Sequence, residues 1–103
     1  MNAVQTPAEA YLNEIPTSNH PRAIAAFETV ANLQGLSDWR LAKWEQITEE
    51  DLPIILEQFQ ARFTSPEDTR FAVANIKGAA RCAWRQKRIT GQQLAIIGKW
   101  KCE

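Results

Sequence analysis

Apolar residues recur along the chain at helical spacing, each run preceded by a residue that can cap a helix. Ala8, Tyr11, Leu12 and Ile15 follow Thr6-Pro7-Ala8-Glu9, which offers a capping hydroxyl, proline at the first helical position and glutamate three residues on. Pro16 should stop this short helix, and Thr17-Ser18-Asn19 reads as a loop. His20-Pro21 opens a second run through Ile24, Phe27, Val30, Ala31 and Leu33, with Gly35 as its C-terminal stop. Residues 36–47 read as a connector pinned by Trp39, Trp44 and Ile47. Leu52, Ile55, Leu56, Phe59 and Phe63 predict a third helix. Pro53 cannot donate to the carbonyl four residues back, so Asp51 rather than Thr48 is the expected cap. Ser65-Pro66-Glu67-Asp68 starts a long helix over 66–88, and Thr90 a shorter one carrying Leu94, Ile97 and Trp100. No stretch alternates at period two, so strands are not expected. The expected fold class is all-α, a small four- to five-helix orthogonal bundle.

The chain has 103 residues, 45% of them hydrophobic and 23% charged, which fits one globular domain over 1–103 with 1–6 and 99–103 frayed. No apolar run approaches a bilayer span and no basic-then-apolar leader opens the chain. Cys82 and Cys102 form neither a metal-type pair nor a disulfide framework, which suggests reduced thiols and a cytoplasmic setting. His20 is the only histidine and sits at a helix start, which excludes a multi-histidine metal site. No glycine-rich phosphate loop is present. No cofactor and no small-molecule substrate are expected.

Twelve basic and twelve acidic side chains balance overall, but unevenly. Residues 1–69 hold eleven acidic and four basic side chains; residues 70–103 hold eight basic side chains and only Glu103. On an ideal wheel of about 100° per residue, Arg70, Lys77, Arg81, Arg85 and Arg88 share one stripe roughly 80° wide and about 27 Å long. Val73, Ile76, Ala80, Ala83 and Trp84 gather on a separate apolar stripe roughly 110° away. Like charges at i,i+4, as in Lys77–Arg81–Arg85, are mildly destabilising, and a bound anion would offset this. A major groove about 12 Å wide admits a helix, and the arginine fork suits phosphate oxygens and guanine edges. The same stripe also fits a solvated face, or one that meets Glu49, Glu50, Asp51 and Glu57 of its own chain. An interfacial membrane helix would need large exposed apolar flanks that this stripe lacks. Gly78, inside the long helix, points to a close helix crossing or the close approach of a ligand backbone.

The chain resembles the N-terminal core-binding (SAM-like) domain of tyrosine recombinases, the phage-integrase family. The resemblance rests on Ala10-Tyr11-Leu12, Ile47-Thr48-Glu49-Glu50-Asp51-Leu52, Ser65-Pro66, Asn75-Ile76-Lys77-Gly78, Ala83-Trp84-Arg85 and Lys87-Arg88-Ile89, in that order. It implies one half of a clamp around double-stranded DNA, with the catalytic half absent from 1–103 and no enzyme activity expected of this chain. Taken with the cationic stripe, it leads to expected DNA contacts from Arg70, Lys77, Arg81, Arg85, Lys87 and Arg88, with Lys99 and Lys101 added from the last helix. Other recombinase protomers are the alternative partner, which would make the chain an oligomerisation module. Lys77 stands where the family usually has arginine, Arg70 where it often has asparagine, and Asp68 where it often has threonine; an aspartate there would repel phosphate.

Overall fold

A computed structural model describes residues 5–100, which form five α-helices and no strand. Helix α1 spans Pro7–Leu12, and its capping box is complete: Glu9 N–H donates to Thr6 Oγ1 at 3.3 Å and Thr6 N–H to Glu9 Oε1 at 3.0 Å. The helix ends before Pro16, and Thr17–Asn19 is a turn of 3-10 helix rather than irregular loop. Helix α2 (His20–Leu33) ends as expected at Gly35, whose φ of 77° permits two closing bonds, Leu36 N–H to Ala31 O and Gly35 N–H to Asn32 O. His20 Nε2 lies 3.3 Å from the Ile15 carbonyl oxygen, so the lone histidine belongs to the start of α2.

The connector contains two further 3-10 turns, Trp39–Leu41 and Trp44–Gln46. It is tied to α2 by a reciprocal pair in which Gln34 Nε2 donates to Lys43 O and Lys43 N–H to Gln34 Oε1, both at 2.8 Å. Helix α3 spans Asp51–Arg62 with Glu50 at its cap position, so Asp51 is the first helical residue and not the cap. Its carboxylate instead reaches back to accept from Thr48 N–H at 2.9 Å. Pro53 falls in the first turn, where its missing N–H leaves no bond unmade. Helix α4 spans Pro66–Arg85 behind a Ser65 cap, and α5 spans Gly91–Gly98 behind a Thr90 cap.

Helix α4 is the hub, packing on α1, α2, α3 and α5. Its buried positions include Ala72, Val73, Asn75, Ile76, Gly78, Ala79, Ala80, Cys82 and Ala83. On an ideal wheel these cover roughly 220°, an arc far wider than one apolar stripe. Alanine and glycine make this possible, because small side chains let neighbouring backbones come close on several sides. Phe27 is fully buried among aromatic rings, edge-on to Tyr11 and Trp44 and stacked with Trp39. Gly78 marks the α1–α4 crossing: the Tyr11 ring occupies the space a β-carbon would need there. The stretches expected to fray are held at their inner ends. Thr6 closes the capping box, and Trp100 is buried with its ring 6.1 Å from that of Phe59. The rest of those stretches, 1–4 and 101–103, lies outside the described residues. No described helix is long and apolar enough to cross a membrane.

Candidate functional site

The wide buried arc leaves α4 one solvent face. Arg70, Ala74, Arg81, Trp84 and Arg85 are exposed there and Lys77 is half-buried. The expected cationic stripe therefore exists, with changes at both its end and its edge. Helix α4 stops at Arg85, three residues short of Arg88. Lys87 takes the left-handed conformation at φ 62°, and its N–H bonds to Trp84 O while Arg88 N–H bonds to Ala83 O. This is the Schellman arrangement with lysine in place of glycine.

The turn removes Lys87 and Arg88 from the stripe. Arg88 faces a cleft of about 330 Å³ that is also lined by Pro7, Arg40, Lys43, Trp44 and Glu45. Arg40 and Lys43 are cations that the wheel could not have grouped with Arg88, because only the fold brings the connector to the end of α4. Arg40 is held by Asp38, whose carboxylate accepts from Nε at 3.0 Å and from Nη2 at 3.1 Å. That leaves Lys43 and Arg88 as cations of the cleft with no carboxylate within 4 Å among the described residues.

Arg85 is engaged as well. Its Nη2 donates to Glu14 Oε2 at 3.0 Å and Oε1 at 3.2 Å, and lies 3.3 Å from Cys82 Sγ. Partial desolvation raises the Glu14 carboxyl's proton affinity. The bonds from Arg85 and Cys82 and the charges of Arg85 and Arg81 outweigh it and hold the group below its ordinary value. Burial pushes the Cys82 thiol up, and its bond to Glu14 adds to the shift, so the sulfur stays protonated. Lys99 lies apart from α4, in a groove with Glu49, Leu52, Leu56 and Trp100. Lys101 is outside the described residues.

Arg70, Lys77 and Arg81 remain. They follow one another along α4 over about 16 Å. Among the described residues none has a carboxylate within 4 Å. Glu67, exposed one turn before Arg70, is the acid on this side of α4 and forms no ion pair among the described residues. Asp68 points away and is paired with Arg22 at 3.4 Å, and the Arg22 guanidinium also lies over the Phe71 ring at 4.4 Å.

Trp84 is the clearest departure from the expected pattern: it is not in the core but 49% exposed, at the edge of the cationic face. Sequence spacing put it with Val73 and Ala80, and at roughly 20° beyond Val73 it sits just past the margin of the buried arc. The fold also builds a polar contact that spacing did not suggest. Asn75 is fully buried and its Oδ1 accepts from Tyr11 OH at 2.8 Å, which ties α1 to α4 beneath the stripe.

Compared with protein-family models, curated proteins and solved structures, the chain matches none.

Proposed function

We propose that this helical bundle binds double-stranded DNA through the solvent face of α4. It would serve as the SAM-like core-binding half of a site-specific tyrosine recombinase, with catalysis supplied by a separate unit. The observation that carries this reading is the row Arg70, Lys77 and Arg81, exposed or half-exposed and without carboxylate partners among the described residues. Such a row repels itself unless an extended polyanion lies along it. The motif series through Ser65-Pro66, Asn75-Ile76-Lys77-Gly78 and Ala83-Trp84-Arg85 supports the recombinase assignment. Lys43 and Arg88 in the neighbouring cleft give the backbone a second point of purchase.

The three contacts of the α4 row should contribute about −2.7 to the log–log salt slope, or about 40-fold of the loss in affinity between 50 and 200 mM salt. Fluorescence anisotropy on a labelled duplex measures it. Each of Arg70→Ala, Lys77→Ala and Arg81→Ala should flatten the slope by about 0.9. Unchanged slopes in all three would refute the assignment of this face.

A second reading is an oligomerisation module joining recombinase protomers. Its support is the apolar groove between α2 and α3, lined by Val30, Leu33, Ile47, Ile54 and Ile55, in which Leu33 is 46% and Ile54 51% exposed. Sedimentation without DNA tests it: a dimer of this chain that Ile54→Glu dissociates supports it, and a monomer at all concentrations rejects it.

A further inference from the structure

Trp84 is out of place by ordinary burial. Trp44 and Trp100 are 1% and 6% exposed, whereas half of the Trp84 surface meets water. No aromatic ring stacks on it and no cation lies over its face among the described residues. The Nε1 edge rests near Gly91 at the start of α5, 3.9 Å from where a β-carbon would stand, so one edge is seated while the ring remains open. On the wheel Trp84 falls roughly 20° from Lys77 and 60° from Arg81, one to two turns farther along the helix. Flat apolar surface thus ends a row of cations. The other exposed large apolar residues, Leu33, Leu41 and Ile54, lie on α2, the connector and α3, away from α4. A ligand that alternates anionic groups with flat apolar ones fits this arrangement, and a polynucleotide with an unstacked base is such a ligand.

We infer that Trp84 is a stacking platform for an unpaired base, so that the α4 face prefers DNA with a local break in pairing over continuous duplex. The inference rests on the DNA-binding reading and adds a class of site to it. Arg81 and Lys77 hold the phosphates flanking the extruded base, and the indole replaces the stacking that the base has lost.

The test is anisotropy with the full chain on two duplexes of the same sequence, one fully paired and one carrying a single-nucleotide bulge. Wild type should bind the bulged duplex about tenfold tighter, since one base–aromatic stack is commonly worth that much. Trp84→Ala should bring the ratio to about one while leaving the paired-duplex salt slope unchanged. Trp84→Phe, which keeps a ring and fills the same seat, should retain a clear preference. A wild-type ratio of one, or a tenfold ratio that survives in Trp84→Ala, overturns the inference and leaves the DNA reading standing. Failure of wild type to bind either duplex overturns both.

Discussion

Replacing Gly78 with alanine gives the sharpest test of how α1 and α4 fit together. In an unconstrained helix interior the change stabilises by about 1 kcal/mol, because glycine is the poorer helix former. Here the new β-carbon would lie 2.6 Å from Tyr11 Cδ1 and 2.8 Å from Cζ, with Cε1 nearer still. The ring would have to retreat by roughly 1.5 Å in a close-packed interior. It has little freedom to do so, because it packs edge-on against Phe27 and its hydroxyl donates to the buried Asn75 Oδ1 at 2.8 Å. Overpacking costs about 1–3 kcal/mol, and stranding the Asn75 oxygen costs about 1–3 more if that bond breaks. Set against the propensity gain, Gly78→Ala should destabilise by about 2 kcal/mol and lower the Tm by about 10 °C.

The sign should reverse once the ring is gone. In a Tyr11→Ala background, Gly78→Ala should stabilise by about 1 kcal/mol, which makes the coupling energy about 3 kcal/mol, high for a contacting pair. Tyr11→Phe keeps the ring and removes only its tether, so there the penalty should be intermediate. Urea unfolding of the set, followed by far-UV circular dichroism with m held constant, measures each quantity. Gly78→Ala effects that agree across backgrounds to within about 0.5 kcal/mol would refute the proposed fit.

Glu14→Gln should release Arg85 from its partner and steepen the DNA salt slope by up to about 0.9; an unaltered slope would mean that Arg85 faces no phosphate. The same carboxylate, with its pKa lowered in the fold, contributes stability above its ordinary value of 4.5 that is lost as pH falls through the depressed value. The gap in Tm between wild type and Glu14→Gln should therefore close on acidification, and a gap constant from pH 7 to 2 would contradict the pairing. Lys87→Gly should be more stable than Lys87→Ala by about 1 kcal/mol, because only glycine escapes the left-handed penalty at φ 62°; equal melting temperatures would argue against that cap. Gln93→Leu should cost about 1–3 kcal/mol, since Gln93 Nε2 donates to the Trp44 and Ile47 carbonyls and its loss strands both. Hydrogen exchange should then speed up in the connector before the rest of the bundle, and uniform exchange would count against this clamp.

The helices were legible in the sequence because their signals are local. Thr6, Ser65 and Thr90 each cap the helix that their spacing announced, and Gly35 ends α2. Asp51 misled for an equally local reason: a carboxylate at the first helical position can reach back as readily as one at the cap. The cationic row was legible too, since Arg70, Lys77 and Arg81 share a phase that any α-helix would turn to one side. Its end was not. A wheel assumes that the helix continues, and nothing short-range announces that Lys87 adopts a conformation that glycine usually takes.

Local pattern therefore set which segments coil and which way their charges face, because hydrogen bonds three to five residues apart and a period of 3.6 are properties of the chain alone. Packing decided the rest. It determined how many neighbours surround α4, so that Trp84 falls just outside the covered arc, which distant groups meet (Glu14 with Arg85, Tyr11 with Asn75), and that Arg40 and Lys43 line one cleft with Arg88. Those contacts join residues tens of positions apart, and their partners become neighbours only when the helices close around a shared core.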